Sequence, residues 1–162
     1  MVVIETERLR LEVITPTTAA RIVMGRRSTA DRWHPEYPLE DELEPLRVLA
    51  AADHPDETFT LYMIRRRADG LAVGGVGFFG PPDENGRVEF GYGLVPSARG
   101  LGFATEAVSA ALKFAATHGA RSAVADTDID NIASQRVLTK TGLTETGRSE
   151  RLVYFQRDLT VQ

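Results

Sequence analysis

The 162-residue chain (1–162) is long enough for one domain around one hydrophobic core and short for two. Its 43% hydrophobic and 26% charged residues describe a globular fold, and a formal net charge of -4 excludes a general attraction to nucleic acid or anionic membrane. The lack of cysteine excludes disulfides, thiolate metal sites and cysteine nucleophiles, and His34, His54 and His118 show no metal-ligand spacing, so no metal is expected.

The amino terminus, "MVVIETERLRLEV", turns acidic by position 5 and does not read as a signal peptide. No run approaches the roughly 20 apolar residues of a membrane span, so a cytoplasmic protein is expected. Residues 8–14 alternate charged with apolar side chains and predict a strand. Thr15 and Pro16 then start a helix to about Gly25, with a hydroxyl cap and proline in the first turn. Residues 28–46 carry Pro35, Pro38 and Pro45 and read as irregular, with a second helix over roughly 39–53. Strands follow at 58–66 and 71–79, joined through Asp69-Gly70, a strong hairpin signal. A turn at 81–86 leads to a third strand at 87–94. A helix over 102–118 shows one apolar face, and Gly119 ends it. Residues 121–126 predict a strand, and Asp130 or Asn131 caps a helix to about Lys140. Residues 143–148 and 151–159 complete the pattern as two more strands. This is an α/β (α+β) chain: a mixed, mostly antiparallel sheet of about seven strands, with about four helices and a parallel crossover across 87–126.

The segment "SARGLGFATEA" (97–107) carries the chemistry. A helix start leaves backbone N–H groups unpaired and holds about half a positive charge, and glycines let a phosphate approach that backbone closely. Arg99 adds a cation. In the preceding "VEFGYGL", Glu89, Gly91 and Gly93 share one strand face, while Val88, Phe90, Tyr92 and Leu94 share the other. Two glycines on one face suit the close approach of a ligand lying along the strand.

The stretch "VEFGYGLVPSARGLGFATEAVSAALKFA" resembles the GNAT superfamily of N-acetyltransferases, nearest to the RimJ/RimL type. "IETERLRLEVIT", "VGGVGFF" and "DTDIDNIASQRVLTKTGL" are similar to further segments of that type, so the likeness spans nearly the whole chain. It implies a GNAT-like sheet with its parallel pair at the cofactor site, acetyl-coenzyme A as acetyl donor, and direct transfer to a primary amine of a protein N-terminus or small molecule in a ternary complex. It further implies a cofactor site at Leu94, Val95, Arg99, Gly100, Leu101, Gly102, Phe103, Ala104, Thr105, Asn131 and Ser134. Two positions depart from the family pattern. Ser97 stands where the loop usually has a glutamine or arginine, and Leu138 stands at the usual thiolate-protonating tyrosine.

Acetyl transfer from a thioester needs a deprotonated amine, a polarised carbonyl, close approach and a proton for the leaving thiolate. Ser134 is the thiolate-side donor that the resemblance implies, and Asn131 the partner of the pantetheine arm. Glu89 is the candidate general base on the glycine-lined face. Tyr92 reads as core, and Glu106 as a complement to the helix dipole. Trp33, His34, Glu36 and Tyr37 form an aromatic and polar cluster suited to the acceptor amine; Trp33, His34 and Tyr37 are its candidate binding residues. Structural readings stand beside these: Asn131 as a plain helix cap, Ser134 as a surface serine, Glu89 as a strand carboxylate paired with Arg87, and Trp33 as a core anchor. Two other functions fit parts of the pattern. One is a dinucleotide-binding oxidoreductase, from Gly100-Leu101-Gly102 followed by Asp126; the other is a non-catalytic acyl-coenzyme A sensor, from Leu138. The chain is expected to be a monomer or homodimer, with no nucleic-acid or membrane partner.

Overall fold

Leu9 and Leu11 are fully buried while Arg10 between them is exposed, the alternation that makes Leu9–Val13 a strand, β2. The computed structural model describes residues 2–160. A short strand, β1 (Val3–Glu5), pairs back onto β2. It is the eighth strand, one more than expected, because no glycine or proline marks the turn that separates it from β2.

Helix α1 (Pro16–Val23) begins as its sequence requires: the Thr15 hydroxyl accepts the Thr18 N–H at 3.2 Å, and proline occupies the first turn. A 3₁₀ turn at Glu40–Glu42 leads into α2 (Leu43–Ala50), which buries Leu46 and Leu49. Strands β3 (Leu61–Arg66), β4 (Ala72–Phe78) and β5 (Arg87–Leu94) form an antiparallel meander. Helix α3 (Phe103–Thr117) turns Ala107, Val108, Ala111, Leu112 and Ala115 into the core. Strand β6 (Ser122–Asp128), helix α4 (Ile132–Lys140), and strands β7 (Thr144–Arg148) and β8 (Leu152–Asp158) follow.

The sheet order is β1-β2-β3-β4-β5-β6-β8-β7, with one parallel pair, β5–β6. The last strand inserts between β6 and β7. A single parallel pair in an antiparallel sheet is not the doubly wound sheet that the dinucleotide reading needs.

That parallel pairing joins only residues 87–89 of β5 to 122–124 of β6. On the other edge, β5 stays paired with β4 as far as Leu94. Beyond Glu89 the two parallel strands therefore part, and a cleft opens along residues 90–94. Glycines shape its floor. A Cβ on Gly93 would lie 2.8 Å from Leu39 Cδ1, and one on Gly75 would lie 2.9 Å from Glu42 Oε1, so the segment before α2 seats directly on bare backbone.

Glu106 does more than complement the helix dipole. Its carboxylate accepts the Thr6 hydroxyl, the Arg8 N–H at 2.8 Å and Arg8 Nε at 2.7 Å, tying the start of α3 to the β1–β2 turn. Arg8 also donates to the Leu101 carbonyl at 2.8 Å and lies 4.4 Å over the Phe103 ring. Burial pushes the Glu106 carboxyl up, but the hydrogen bonds from Thr6 and Arg8 outweigh it and hold the group below its ordinary range. Glu106→Ala is expected to lower stability at neutral pH by about 1–3 kcal/mol, the scale of lost charged hydrogen bonds. The wild-type advantage fades as pH falls through the lowered carboxyl pKa, so denaturant melts of both proteins at neutral and acidic pH converge only in acid.

Candidate active site

The cleft is a cavity of about 670 Å³. Its wall brings together β5 residues Gly91 to Leu94, the loop from Arg99 to Thr105 (Leu101 excepted), the face of α4 carrying Asn131 and Ser134, and the segment around Glu42. Residues far apart in sequence thus meet around one space of the size that takes a small molecule or cofactor.

Gly100 and Gly102 both hold positive φ, at 77° and 84°, which other residues adopt only with strain. Gly102 is the N-cap of α3 and offers no side chain to cap it. The first bond into the helix runs from the Glu106 N–H to the Gly102 carbonyl at 3.1 Å. The N–H groups of Phe103, Ala104 and Thr105 therefore have no partner inside the helix, and all three residues line the cavity. Leu101 is on the loop but outside the lining, 54% exposed. Arg99 lines the cavity and is anchored there by Nε, which donates to the Leu94 carbonyl at 2.9 Å. Ser97 faces elsewhere: its hydroxyl and N–H donate to Glu36, and this holds the Glu36 carboxyl below its usual range. Two cations not singled out in the sequence, Arg136 and Lys140, line the cavity at i,i+4 spacing on α4.

Asn131 does cap α4, its Oδ1 accepting the Ser134 N–H at 3.1 Å, and it also lines the cavity. The Ser134 hydroxyl lies 2.7 Å from the Tyr92 hydroxyl, which also reaches the Ser134 carbonyl at 3.1 Å. Tyr92 is thus a cavity residue and not the core residue that strand alternation suggested. The parting of β5 from β6 exposes the strand's edge, so side chains from both of its faces reach the space. Burial pushes the Tyr92 phenol up, and the Ser134 hydrogen bond partly offsets this. Leu138 is fully buried, so the usual tyrosine position belongs to the core.

Several expected site residues lie elsewhere. Glu89 is exposed on the part of β5 still paired with β6 and is absent from the lining. Val95 is fully buried, and its N–H already donates to the Val73 carbonyl at 2.8 Å, so it has no backbone donor left for a cofactor. Trp33 is a core anchor, its ring approached by Arg21 at 5.6 Å and Arg27 at 5.8 Å. His34 turns its Nδ1 toward the Glu36 N–H at 3.0 Å. Of the aromatic cluster only Tyr37 lines the cavity.

One lining residue gave no usable signal in sequence. Glu42 lies in the acidic run "LEDELEP" at the start of the helix expected over roughly 39–53. In the fold both of its carboxylate oxygens are buried and, among the described residues, without a hydrogen-bond partner; the Tyr37 hydroxyl shares this state. Burial pushes the Glu42 carboxyl up to about 8; the Leu39 backbone lowers it in part without meeting hydrogen-bond geometry, and Asp41 raises it further.

The family model of the acetyltransferase (GNAT) domain matches residues 8–144. The chain belongs to this family. YjdG, an uncharacterised N-acetyltransferase of Bacillus subtilis (strain 168), is 31% identical over 150 residues, covering 88% of this chain and 89% of the relative. Among solved structures, a ribosomal-protein-S5-alanine acetyltransferase from Vibrio fischeri superposes with a TM-score of 0.70 at 17% identity, covering 98% of this chain and 97% of its own. RimL, an α-N-protein acetyltransferase in complex with coenzyme A, superposes with a TM-score of 0.69 at 18% identity, covering 97% and 98%. The GNAT fold and acetyltransferase class follow, and the eight-stranded sheet with its parallel pair is the GNAT sheet.

The buried carboxyl carries a stability signature for this acetyltransferase. Its folded pKa lies above that of the unfolded chain, so the stability linked to the neutral form is present in acid and is lost as pH rises through about 8. Glu42→Gln keeps the shape and cannot ionise. Its melting temperature should match that of wild type near pH 4, below the unfolded carboxyl pKa, and exceed it at pH 9; equal melting at both would show that Glu42 is not held neutral.

Proposed function

We propose that this GNAT protein transfers an acetyl group from acetyl-coenzyme A to a primary amine, of a protein N-terminus or a small molecule, by direct attack in a ternary complex. The observation that carries the reading is the meeting, in one cavity, of an uncapped helix start, an open strand edge and a hydrogen-bonded pair of hydroxyls.

Acetyl-coenzyme A supplies the reactive thioester. The N–H groups of Phe103, Ala104 and Thr105 and the positive end of α3 suit its pyrophosphate, because the glycines at 100 and 102 keep side chains out of the approach. Arg99, Arg136 and Lys140 add positive charge around the same space. The bare edge of β5, toward which Tyr92 and the Leu94 N–H turn while the backbone groups of Gly91 and Gly93 face β4, suits an extended amide-bearing arm, which strand backbone recognises as it recognises a neighbouring strand. Asn131 keeps its side-chain NH₂ for that arm while its oxygen caps α4.

The Tyr92–Ser134 pair answers the loss of the usual tyrosine. Ser134 is the donor to the leaving sulfur, and Tyr92 behind it restores the proton through a 2.7 Å hydrogen bond. A phenol reaches the site from β5, and the sensor reading, which rested on Leu138, loses its support. The V. fischeri relative and RimL act on protein amines, and that class of acceptor fits the proposal.

Binding and chemistry can be separated. Ala104→Glu places a carboxylate in the first turn of α3, where it favours the helix and repels a phosphate. It is expected to raise the acetyl-coenzyme A dissociation constant by about tenfold or more in calorimetry, with the melting temperature unchanged or higher. An unaltered dissociation constant would remove the helix start from the site. Tyr92→Phe and Ser134→Ala should bind acetyl-coenzyme A normally and lower kcat for thiol release by about 10–100-fold, with the double variant no worse than the poorer single one.

A further inference from the structure

An amine must lose a proton before it can attack, and none of the cofactor-side residues takes it. Glu89 lies outside the cavity. Among the described residues Glu42 is the carboxylate that lines the cavity with both oxygens buried and unpartnered. It ends the 3₁₀ turn Glu40–Glu42, and its Oε1 stands 2.9 Å from the place of a Cβ on Gly75. Gly75 is the ladder partner of Gly93, the residue that follows Tyr92 on the open edge of β5. The carboxylate and the Tyr92–Ser134 hydroxyls thus border one stretch of strand from different elements. Both line the one cavity of about 670 Å³, which has room for a nucleophile and an acyl group.

We propose that Glu42, which lines the cavity together with Tyr37, receives the ammonium form of the acceptor and accepts its proton, so that this site selects cationic primary amines. The inference rests on the acetyl-transfer reading above. The groups around it fit. Asp41 adjoins it on the same turn, the buried Tyr37 phenol lies within reach of its charge, and Arg65, near Tyr37, is committed to Glu12 at 2.6 Å. Arg99, Arg136 and Lys140 belong to the loop and α4 walls of the cavity.

An exposed carboxylate is a poor base for an ammonium, since their ordinary pKa values differ by about 4 units for an α-amine and about 6 for a lysine-type amine. Burial that raises Glu42 toward 8 brings it close to an α-amine, and proton transfer then creates a neutral pair that a low-dielectric cavity favours. The step balances. Glu42 takes one proton from R–NH₃⁺; the nitrogen lone pair forms the C–N bond at the thioester carbonyl, the C–S bond breaks, and sulfur keeps its electron pair. The second nitrogen proton balances the one that sulfur gains through Ser134. Glu42 then returns its proton to solvent, so one proton is released per turnover.

The test uses three acceptors with acetyl-coenzyme A: an alanine-initiated peptide, spermidine, and hydroxylamine, which is already unprotonated at neutral pH. Calorimetry with acetyl-coenzyme A checks that each variant keeps its fold and cofactor site. Glu42→Gln is expected to lose about 100-fold or more in kcat/KM with the better of the two cationic acceptors, to lose less than about threefold with hydroxylamine, and to keep its acetyl-coenzyme A affinity. Glu42→Asp should recover part of the loss. In wild type, log kcat/KM for the cationic acceptor should rise with pH and level off near the Glu42 pKa, and the limb should vanish in Glu42→Gln. Equal losses with all three acceptors, or none with the cationic ones, overturn the role of Glu42 and leave the acetyl-transfer reading intact. Failure of wild type to bind acetyl-coenzyme A, or to release thiol with any acceptor, overturns both.

Discussion

The fold of this chain turns on one interrupted ladder. Strands β5 and β6 pair over three residues and then part. A strand edge inside a protein carries backbone donors and acceptors that must find partners, so an opened ladder is stable only beside solvent or a ligand with matching groups. Everything at the site follows this opening. The helix that leaves β5 starts beside the cleft, the helix that follows β6 covers its other side, and the glycines of β4 and β5 keep its floor low.

The opening needs fixed walls. The start of α3 is held by the Glu106 carboxylate, which gathers three donors from Thr6 and Arg8 in a distant turn. This leaves the first N–H groups of the helix uncapped and still fixed in space, and preorganised donors bind anions without a reorganisation cost. The Arg99 bond to the Leu94 carbonyl fixes the loop to the end of β5 in the same way. This half of the cavity is therefore rigid and cationic.

The other half is buried and acidic. Tyr92 and Ser134 form a hydrogen-bonded hydroxyl pair, whereas Glu42 has no hydrogen-bond partner among the described residues. The two environments differ in proton chemistry: a hydrogen-bonded hydroxyl can pass a proton along, and a desolvated carboxylate gains basicity.

Most of the fold was legible because it is local. Strand alternation, the Thr15-Pro16 cap, the Asp69-Gly70 turn and the apolar face of α3 are each written within a dozen residues, and the elements fall where these signals put them. The loop at 99–105 and the Asn131/Ser134 helix could be read for the same reason: positive-φ glycines and capping residues act on their own backbone. Tertiary structure alone decided the rest. The alternation of β5 marked Tyr92 as core and Glu89 as ligand-facing, yet the parting of β6 brought Tyr92 to the cavity and left Glu89 outside it. An acidic run became, at Glu42, a buried and unpartnered carboxylate, because the glycines of β4 and β5 let the 39–42 segment sink onto the sheet. Sequence by itself determined the elements, their order and the glycine loop at the start of α3, since those depend on short-range sterics and hydrogen bonds. Burial, and with it the proton affinity of each side chain, depends on what packs above it from far along the chain.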